Sequence, residues 1–416
     1  MKIVIVDNLT ETFKGEIVQS GLQKSSKLDA RAFAAMGYDT TYIYCGHIED
    51  TYNYKHVVAN EIGSKDRAIK ETGKQKVSSH HLKKYLKSVR HVLQSADCII
   101  AHCHSTGMLK GVNDLVQDKK IIYVYHDVID LKWGLSGSCA VKHIRESGRN
   151  YVYVATNSNY SMRRLDAISD RAHDIYGSDG HLDQSKVGML PYRGDEYFDG
   201  YIDHFVWTDQ KPTSEEILNV EQKSAVIGRY STKKQHHKLY KYNNPNNTIV
   251  HYGIKDERND PNLSYYNRLI KQSNDYKENL NDDELWNAIK SSQSIILPCH
   301  HEGFGYTAFE AGIYGVVPVI LTRKLKYLKD NDEHIHATVE YLNRAGVKHY
   351  SADFDNQEQI YKTIDESINI TKEERLEISK KLLDYFSLEN YVQDRLDIFE
   401  IAKKNEVKNK LEMFYV

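Results

Sequence analysis

The stretch from Ser294 to Ile320, SIILPCHHEGFGYTAFEAGIYGVVPVI, limits the folds open to this chain more than any other. It begins and ends in apolar runs, Ile295 to Leu297 and Val316 to Ile320, that show no polar alternation. A strand wetted on one face alternates, whereas a strand covered on both faces of a parallel sheet does not. The pattern therefore predicts a strand, a glycine-punctuated turn, a helix carrying Glu310 and a second buried strand. Gly303 and Gly305 keep side chains off the backbone, so an anionic or hydroxylated ligand can approach the main-chain N–H groups that open the helix. Two carboxylates, Glu302 and Glu310, flank the turn with seven residues between them. An ordinary strand–turn–helix with solvated glutamates has the same outline, and only the rest of the chain separates the two readings.

At 416 residues the chain exceeds a single typical core, which predicts two domains. Lys and Arg number 56 against 58 Asp and Glu, so no global field points to a polyanion or a membrane. No apolar run approaches the ~20 residues that span a bilayer. The opening MKIVIVDNL reads as a buried first strand rather than a signal peptide. Five cysteines, Cys45, Cys98, Cys103, Cys139 and Cys299, are odd in number and irregularly spaced, which fits free thiols in a reducing compartment. The expected location is the cytoplasm, that of a host if the protein is phage-encoded.

Taken in order, the chain repeats a β-loop-helix-β theme. Lys2 to Val6 is an apolar strand, and Gly21 opens a helical pattern through Leu28, Ala32, Phe33 and Met36 that Gly37 is placed to end. Thr40 to Tyr44, Cys98 to Ala101, Ile121 to Tyr125 and Val152 to Ala155 follow as short buried strands. Two of these end in polar clusters, His102-Cys103-His104-Ser105 and His126-Asp127. In open α/β sheets the crevice lies at the carboxyl ends of the strands, so functional groups collect there. The first cluster lacks a second ligand pair at a recognised spacing, so no metal is expected. From Glu61 to Ser95 nine Lys/Arg stand against three Asp/Glu, either a solvated helical face or a surface for a polyanionic acceptor. The polar stretch from Asp199 to Glu221 reads as a connection. Beyond it, Ala225-Val226-Ile227-Gly228-Arg229 and Thr248 to Tyr252 are strands, Asn281 to Glu284 caps a helix, and Thr371 to Ala402 has a helical pattern.

Glu302-Gly303-Phe304-Gly305, Glu310 and Gly315-Val316-Val317-Pro318-Val319 together resemble the E-x7-E signature of retaining glycosyltransferases of the GT-B fold, the glycosyltransferase family four type. The resemblance runs nearly end to end. It implies an α/β fold of two Rossmann-like, doubly wound domains facing a cleft: 1-205 on the acceptor side and 206-390 for the nucleotide sugar, with a C-terminal helix, 391-416, crossing back. It implies that Gly21, Gly303, Phe304, Gly305 and Glu310 contact the donor, Glu310 through the ribose hydroxyls. His126, Asp127 and Glu302 would lie beside the reacting centre, and Arg229 and Lys234 would neutralise the diphosphate. The family's Gly after that Lys is here Gln235, and Lys233 is adjacent, so which lysine reaches the phosphate stays open. Other changes are Tyr38-Asp39 in place of a His-Glu turn and Arg193 in place of an Asn.

The implied reaction moves a sugar from a nucleoside diphosphate, by family habit UDP, to an acceptor hydroxyl with retention. The nucleotide sugar is a substrate, and no cofactor is required. Tyr125-His126-Asp127, Ile227-Gly228-Arg229 with Lys234, and Gly303-Phe304-Gly305-Tyr306 are also similar in part to phage DNA α-glucosyltransferases, which act on hydroxymethylated bases. In those enzymes an insertion absent here separates the Gly-Phe-Gly-Tyr and Glu segments. That similarity implies a duplex DNA acceptor, met by Arg163, Arg164 and Arg193. A surface glycan, lipid-linked or protein acceptor is the alternative, and a non-catalytic nucleotide-sugar or DNA-binding protein is the rival from another class. The oligomeric state is not legible.

Overall fold

The computed structural model describes residues 1–7, 11–13, 16–18, 21–44, 55–58, 86–87, 89–103, 112, 115–116, 118–126, 152–156, 200–208, 211–221, 223–257, 260–272, 275–299, 302–322 and 336–404. The chain divides into two compact units, one of Met1–Phe205 with the segment from Leu388 onward, the other Val206–Ser387.

The first unit holds β1 (Lys2–Val6), β2 (Glu11–Phe13), β3 (Glu16–Val18), α1 (Gly21–Ala35), β4 (Asp39–Tyr44), β5 (Lys55–Val58), α2 (Arg90–Gln94), β6 (Cys98–Cys103), β7 (Lys120–Tyr125), β8 (Val152–Thr156) and β9 (Gly200–Tyr201). Its seven-stranded parallel sheet runs β5-β4-β1-β6-β7-β8-β9, and β2 and β3 form a separate antiparallel pair. The unalternating apolar strands are buried as expected: Ile3 to Val6, Ile99, Ile100 and Ile121 to Val124 are essentially inaccessible. Gly37 ends α1 at φ +83, and the Tyr38 and Gly37 amides close back on Phe33 and Ala34. A left-handed C′ residue of this kind favours glycine because no Cβ meets the following carbonyl.

The second unit holds α3 (Ser214–Leu218), β10 (Lys223–Ile227), two 3-10 turns (Thr232–Lys234 and His236–Lys238), β11 (Thr248–Gly253), α4 (Ser264–Ile270), β12 (Tyr276–Glu278), α5 (Asp282–Lys290), β13 (Ser294–Leu297), α6 (Tyr306–Ile313), β14 (Val317–Thr322), α7 (Ala337–Arg344), β15 (Tyr350–Asp353), α8 (Gln357–Ser367) and α9 (Lys372–Tyr385). Its six strands are all parallel in the order β12-β11-β10-β13-β14-β15. That order reverses direction between β10 and β13, the two strands whose carboxyl ends lead to Arg229 and Glu302. Asn281 caps α5 as the sequence predicts: its side chain accepts from the Glu284 amide while Glu284 accepts from the Asn281 amide, a reciprocal capping box.

The helical pattern from Thr371 to Ala402 is carried by two helices. It breaks at Phe386-Ser387, and α10 (Leu388–Lys404) then joins the first unit. Phe386 packs edge-on against Phe304 and Phe309, so it is anchored in the second unit, and the crossover expected at 391 starts at Leu388. Among the described residues no helix is long and apolar enough to cross a membrane.

Candidate functional site

In the second unit, β10 delivers Gly228-Arg229 and then the paired 3-10 turns. Gln235 joins the turns at φ 54, ψ 27, left-handed backbone that costs a non-glycine residue about 1 kcal/mol or more. This is the position at which glycine was expected from the resemblance, and the geometry supplies the reason. The backbones at the ends of β10 and β11 approach so closely that a Cβ on Gly253 would stand 2.0 Å from the Gly228 carbonyl oxygen. The Lys234 stem lies against Gly228, and its ammonium reaches Glu302 at 2.6 Å between Nζ and Oε2. Lys234, rather than the exposed Lys233, therefore joins the charged constellation. The Arg229 guanidinium lies 3.6 Å from the buried Asp256 carboxylate.

Glu302 opens the glycine turn, and Gly305 ends it as the N-cap of α6 at φ +83. A Cβ on Gly305 would come within 2.3 Å of Thr338 Oγ1, the hydroxyl that donates to the Phe304 carbonyl at 2.8 Å. The turn is thus pinned from α7, and the first amides of α6 have no acceptor inside their own helix. The Phe304 side chain turns away from the turn's amides into the core. It is buried with Phe309 at 4.4 Å, Tyr306 at 4.7 Å and Tyr341 at 4.8 Å, so only its backbone is available to a ligand at this turn.

The charges of this half are fixed. Burial alone would raise the Glu302 carboxyl, but the Lys234 ammonium, aided by His336 and Cys299, holds it below the usual carboxylate range. Burial would lower the Lys234 ammonium, and Glu302 outweighs it and drives it above the ordinary lysine range. Burial, with Glu302 beside it, pushes the Cys299 thiol up to about 12, so it stays protonated at neutral pH. Lys234 and Glu302 therefore act as permanent charges rather than as proton donor and acceptor near neutrality.

Glu310, two turns further on, faces a different environment. It lines a pocket of about 540 Å³ with Trp207, Trp286, Asn287, Lys290 and Tyr314. Lys290 stands 4.6 Å above the Tyr314 ring and 3.7 Å from Glu216, leaving the pocket with an aromatic wall and a charged rim.

The first unit gathers a second constellation. His126 follows β7, and His102 lies on the neighbouring β6. His102 Nδ1 is 2.9 Å from His126 Nε2, and His102 Nε2 is 2.7 Å from Asp29 Oδ2 on α1. The other Asp29 oxygen accepts from the Tyr391 hydroxyl and from Arg395 Nε at 3.3 Å, both on α10. Asp29 is inaccessible, and burial would raise its pKa. Arg395, His102 and Tyr391 overcome that and hold it at about 2. His204 stacks on His126 with ring centroids 5.2 Å apart, and its Nδ1 meets Ser25 Oγ at 2.8 Å. Burial, followed by the neighbouring His102 and Arg395, depresses His204 to about 3, so it is a neutral ring.

Residues 209–332 match the family described as glycosyl transferases group 1. No curated protein is significantly similar to the whole chain in sequence. Solved structures superpose over both units. HepE from Anabaena in complex with UDP and glucose is 13% identical, with 96% of this chain and 100% of that one covered and a TM-score of 0.61. The catalytic domain of starch synthase IV from Arabidopsis thaliana, bound to ADP and acarbose, is 12% identical over 97% of this chain and 99% of its own, also at 0.61. Sucrose-phosphate synthase from Thermosynechococcus elongatus is 10% identical over 96% and 98%, at 0.64. The fold is GT-B.

Of the residues singled out from sequence, Glu302 and Lys234 are in contact, Arg229 and Gly303 to Gly305 stand on the same loops, and Glu310 lines the pocket. Gly21 is the exposed first residue of α1. Asp127, Arg163, Arg164 and Arg193 lie outside the described residues, as does most of Glu61 to Ser95. Sequence reasoning missed Asp29, His204, Tyr391 and Arg395. The signal for Asp29 was present: it sits three, four and seven residues before Ala32, Phe33 and Met36, a carboxylate on the apolar face of α1. Among the described residues no group of three or more His, Cys, Asp or Glu side chains is arranged to hold a metal ion.

Proposed function

We propose that the protein is a retaining glycosyltransferase that moves a sugar from a nucleoside diphosphate sugar, UDP the expected nucleotide, to an acceptor hydroxyl. The Lys234–Glu302 pair, set with Arg229 at the mouth of the parallel sheet of a group 1 domain, carries this reading. A leaving diphosphate gathers negative charge as the glycosidic bond breaks. Arg229, Lys234 and the amides opening α6 are fixed donors and cations for that charge and need no reorganisation at the moment of reaction. Glu302 holds Lys234 extended before the donor arrives. Glu310 takes the ribose hydroxyls, with the aromatic wall of Trp286 and Tyr314 beside them. Glu302 is engaged by Lys234 and is not read as a covalent nucleophile. The reaction is read as a front-face displacement through an oxocarbenium-like state, the leaving phosphate oxygen helping to take the acceptor proton. His126 stands on the acceptor side, and the acceptor is a hydroxymethylated base in duplex DNA. The sequence similarity around Tyr125-His126-Asp127 and the basic stretch from Glu61 to Ser95 support that acceptor.

The test is nucleotide release from a panel of UDP- and GDP-sugars, with and without 5-hydroxymethylated duplex DNA. Turnover that requires the DNA and collapses in Arg229→Ala and Glu310→Ala is the expected result. Slow hydrolysis indifferent to DNA would overturn the acceptor and keep the transferase, and failure of every donor to bind would overturn both.

A further inference from the structure

The chain Asp29–His102–His126 ends on a histidine that the proposed reaction uses, and for a singly protonated His102 its hydrogen bonds run in one direction. Asp29 is a carboxylate, so it can only accept, and the proton on its 2.7 Å contact belongs to His102 Nε2. A neutral His102 then offers a lone pair at Nδ1. The partner at 2.9 Å, His126 Nε2, has to supply the proton. The two rings meet at 29° with centroids 5.2 Å apart, so the short N···N contact is made edge to edge rather than face to face. Everything around this line is arranged to keep it. Asp29 and His102 are fully buried, and Tyr391 and Arg395 saturate the other carboxylate oxygen. Arg395 also donates to the Asp203 carbonyl, and its guanidinium lies 3.5 Å over the Tyr391 ring. A further titratable neighbour, His204, is neutral and donates to or accepts from Ser25.

We propose that Asp29 and His102 are positioning residues that fix His126 in its Nε2–H tautomer, so that its Nδ1 accepts a hydrogen bond from a hydroxyl of the bound acceptor. This rests on the glycosyltransferase reading for its use, but not for its tautomer. Tyr391 and Arg395 make α10 a part of the device. Both are donors to Oδ1, so in Asp29→Asn they orient the amide with its oxygen toward α10 and its NH2 toward His102. His102 must then present a lone pair at Nε2 and a proton at Nδ1, and His126 is driven to the opposite tautomer.

The measurement is a two-bond 1H–15N correlation spectrum of the full chain labelled at histidine, at pH 8, with His102→Gln and His126→Gln used for assignment. In the wild type, His126 is expected with Nε2 protonated and Nδ1 bare, and in Asp29→Asn with the two exchanged. Tyr391→Phe leaves the Oδ2 contact intact and keeps the wild-type pattern. A wild-type His126 protonated at Nδ1 overturns the proposal even if Asp29→Asn does not fold, and so does an Asp29→Asn spectrum with the tautomer unchanged. Nucleotide release from UDP-glucose reads the consequence: kcat in Asp29→Asn falls about 10- to 100-fold while KM moves less than about threefold. Absence of turnover in the wild type counts against the glycosyltransferase reading, and the spectrum still decides the tautomer.

Discussion

At the scale of single residues, a half-buried carboxylate and a fully buried one share one logic. Glu302 and Asp29 both sit where burial alone would protonate them, and each is kept ionised by a cation from a distant part of the chain, Lys234 and Arg395. Removing one partner leaves the other as an uncompensated buried charge, which is why such deletions are severe. Arg395→Met is therefore expected to destabilise the first unit by about 3–5 kcal/mol, read from the urea midpoint of its unfolding transition. Lys234→Met acts on chemistry instead. With the cation gone, burial raises the Glu302 carboxyl, and nucleotide release falls about 10²- to 10³-fold. Lys233→Met, on the exposed neighbour, is expected to stay within about threefold of wild type, and equal losses in the two variants would contradict the assignment of Lys234.

At the scale of elements, the loops after β10 and β13 depend on close approach to glycine backbone. Gly253 touches the Gly228 carbonyl, and Gly305 touches Thr338 in a left-handed conformation. Gly305→Ala combines a steric overlap with an unfavourable φ, so a loss of about 2–3 kcal/mol is expected, with a matching fall in donor affinity. Gln235→Gly should do the reverse and raise stability by about 0.5–1 kcal/mol, because glycine adopts φ 54 without strain. Thermal unfolding of the two variants tests both signs. These loops were legible in the sequence because glycine and short apolar strands are local signals. The unalternating runs at Ile295, Ile121 and Ile3 announced buried parallel strands, and Asn281 with Glu284 announced a helix start. β12 and β15 were not legible, since YKE and YSAD carry too few apolar residues to show a period. The Asp29–His102–His126 line joins residues 73 and 24 positions apart and depends on α10, so no spacing rule reaches it.

At the scale of the whole molecule, neutral buried histidines make the protein sensitive to acid. Burial depresses His251 to about 3 in the folded state, and burial, His102 and Arg395 bring His204 to the same value. An unfolded chain protonates both near 6.5. Between pH 6.5 and 3 the unfolded state therefore binds more protons, and stability falls as the pH drops, by ~1.4 kcal/mol per pH unit for each histidine. Asp29 adds a further loss as the pH falls from 3.8 through about 2, where its folded carboxylate takes a proton. The melting temperature is expected to be flat above pH 7 and to decline steadily below 6.5. A histidine replacement that keeps the fold, such as His251→Gln, should shed one proton's worth of that slope. A melting temperature independent of pH down to 5 would show that these rings are charged when folded.

The clamp of α10 on Asp29 also dictates an order of events during synthesis. Val206–Ser387 is one continuous run of chain and has all of its sheet once Ser387 has left the ribosome, whereas the first unit waits for Leu388–Lys404 to emerge. Asp29 meets Arg395 across 366 positions, so the nascent amino-terminal sheet spends most of translation with a buried carboxylate awaiting its cation. The unit made first is thus the one completed last, and the histidine line is assembled only after the second unit has already formed.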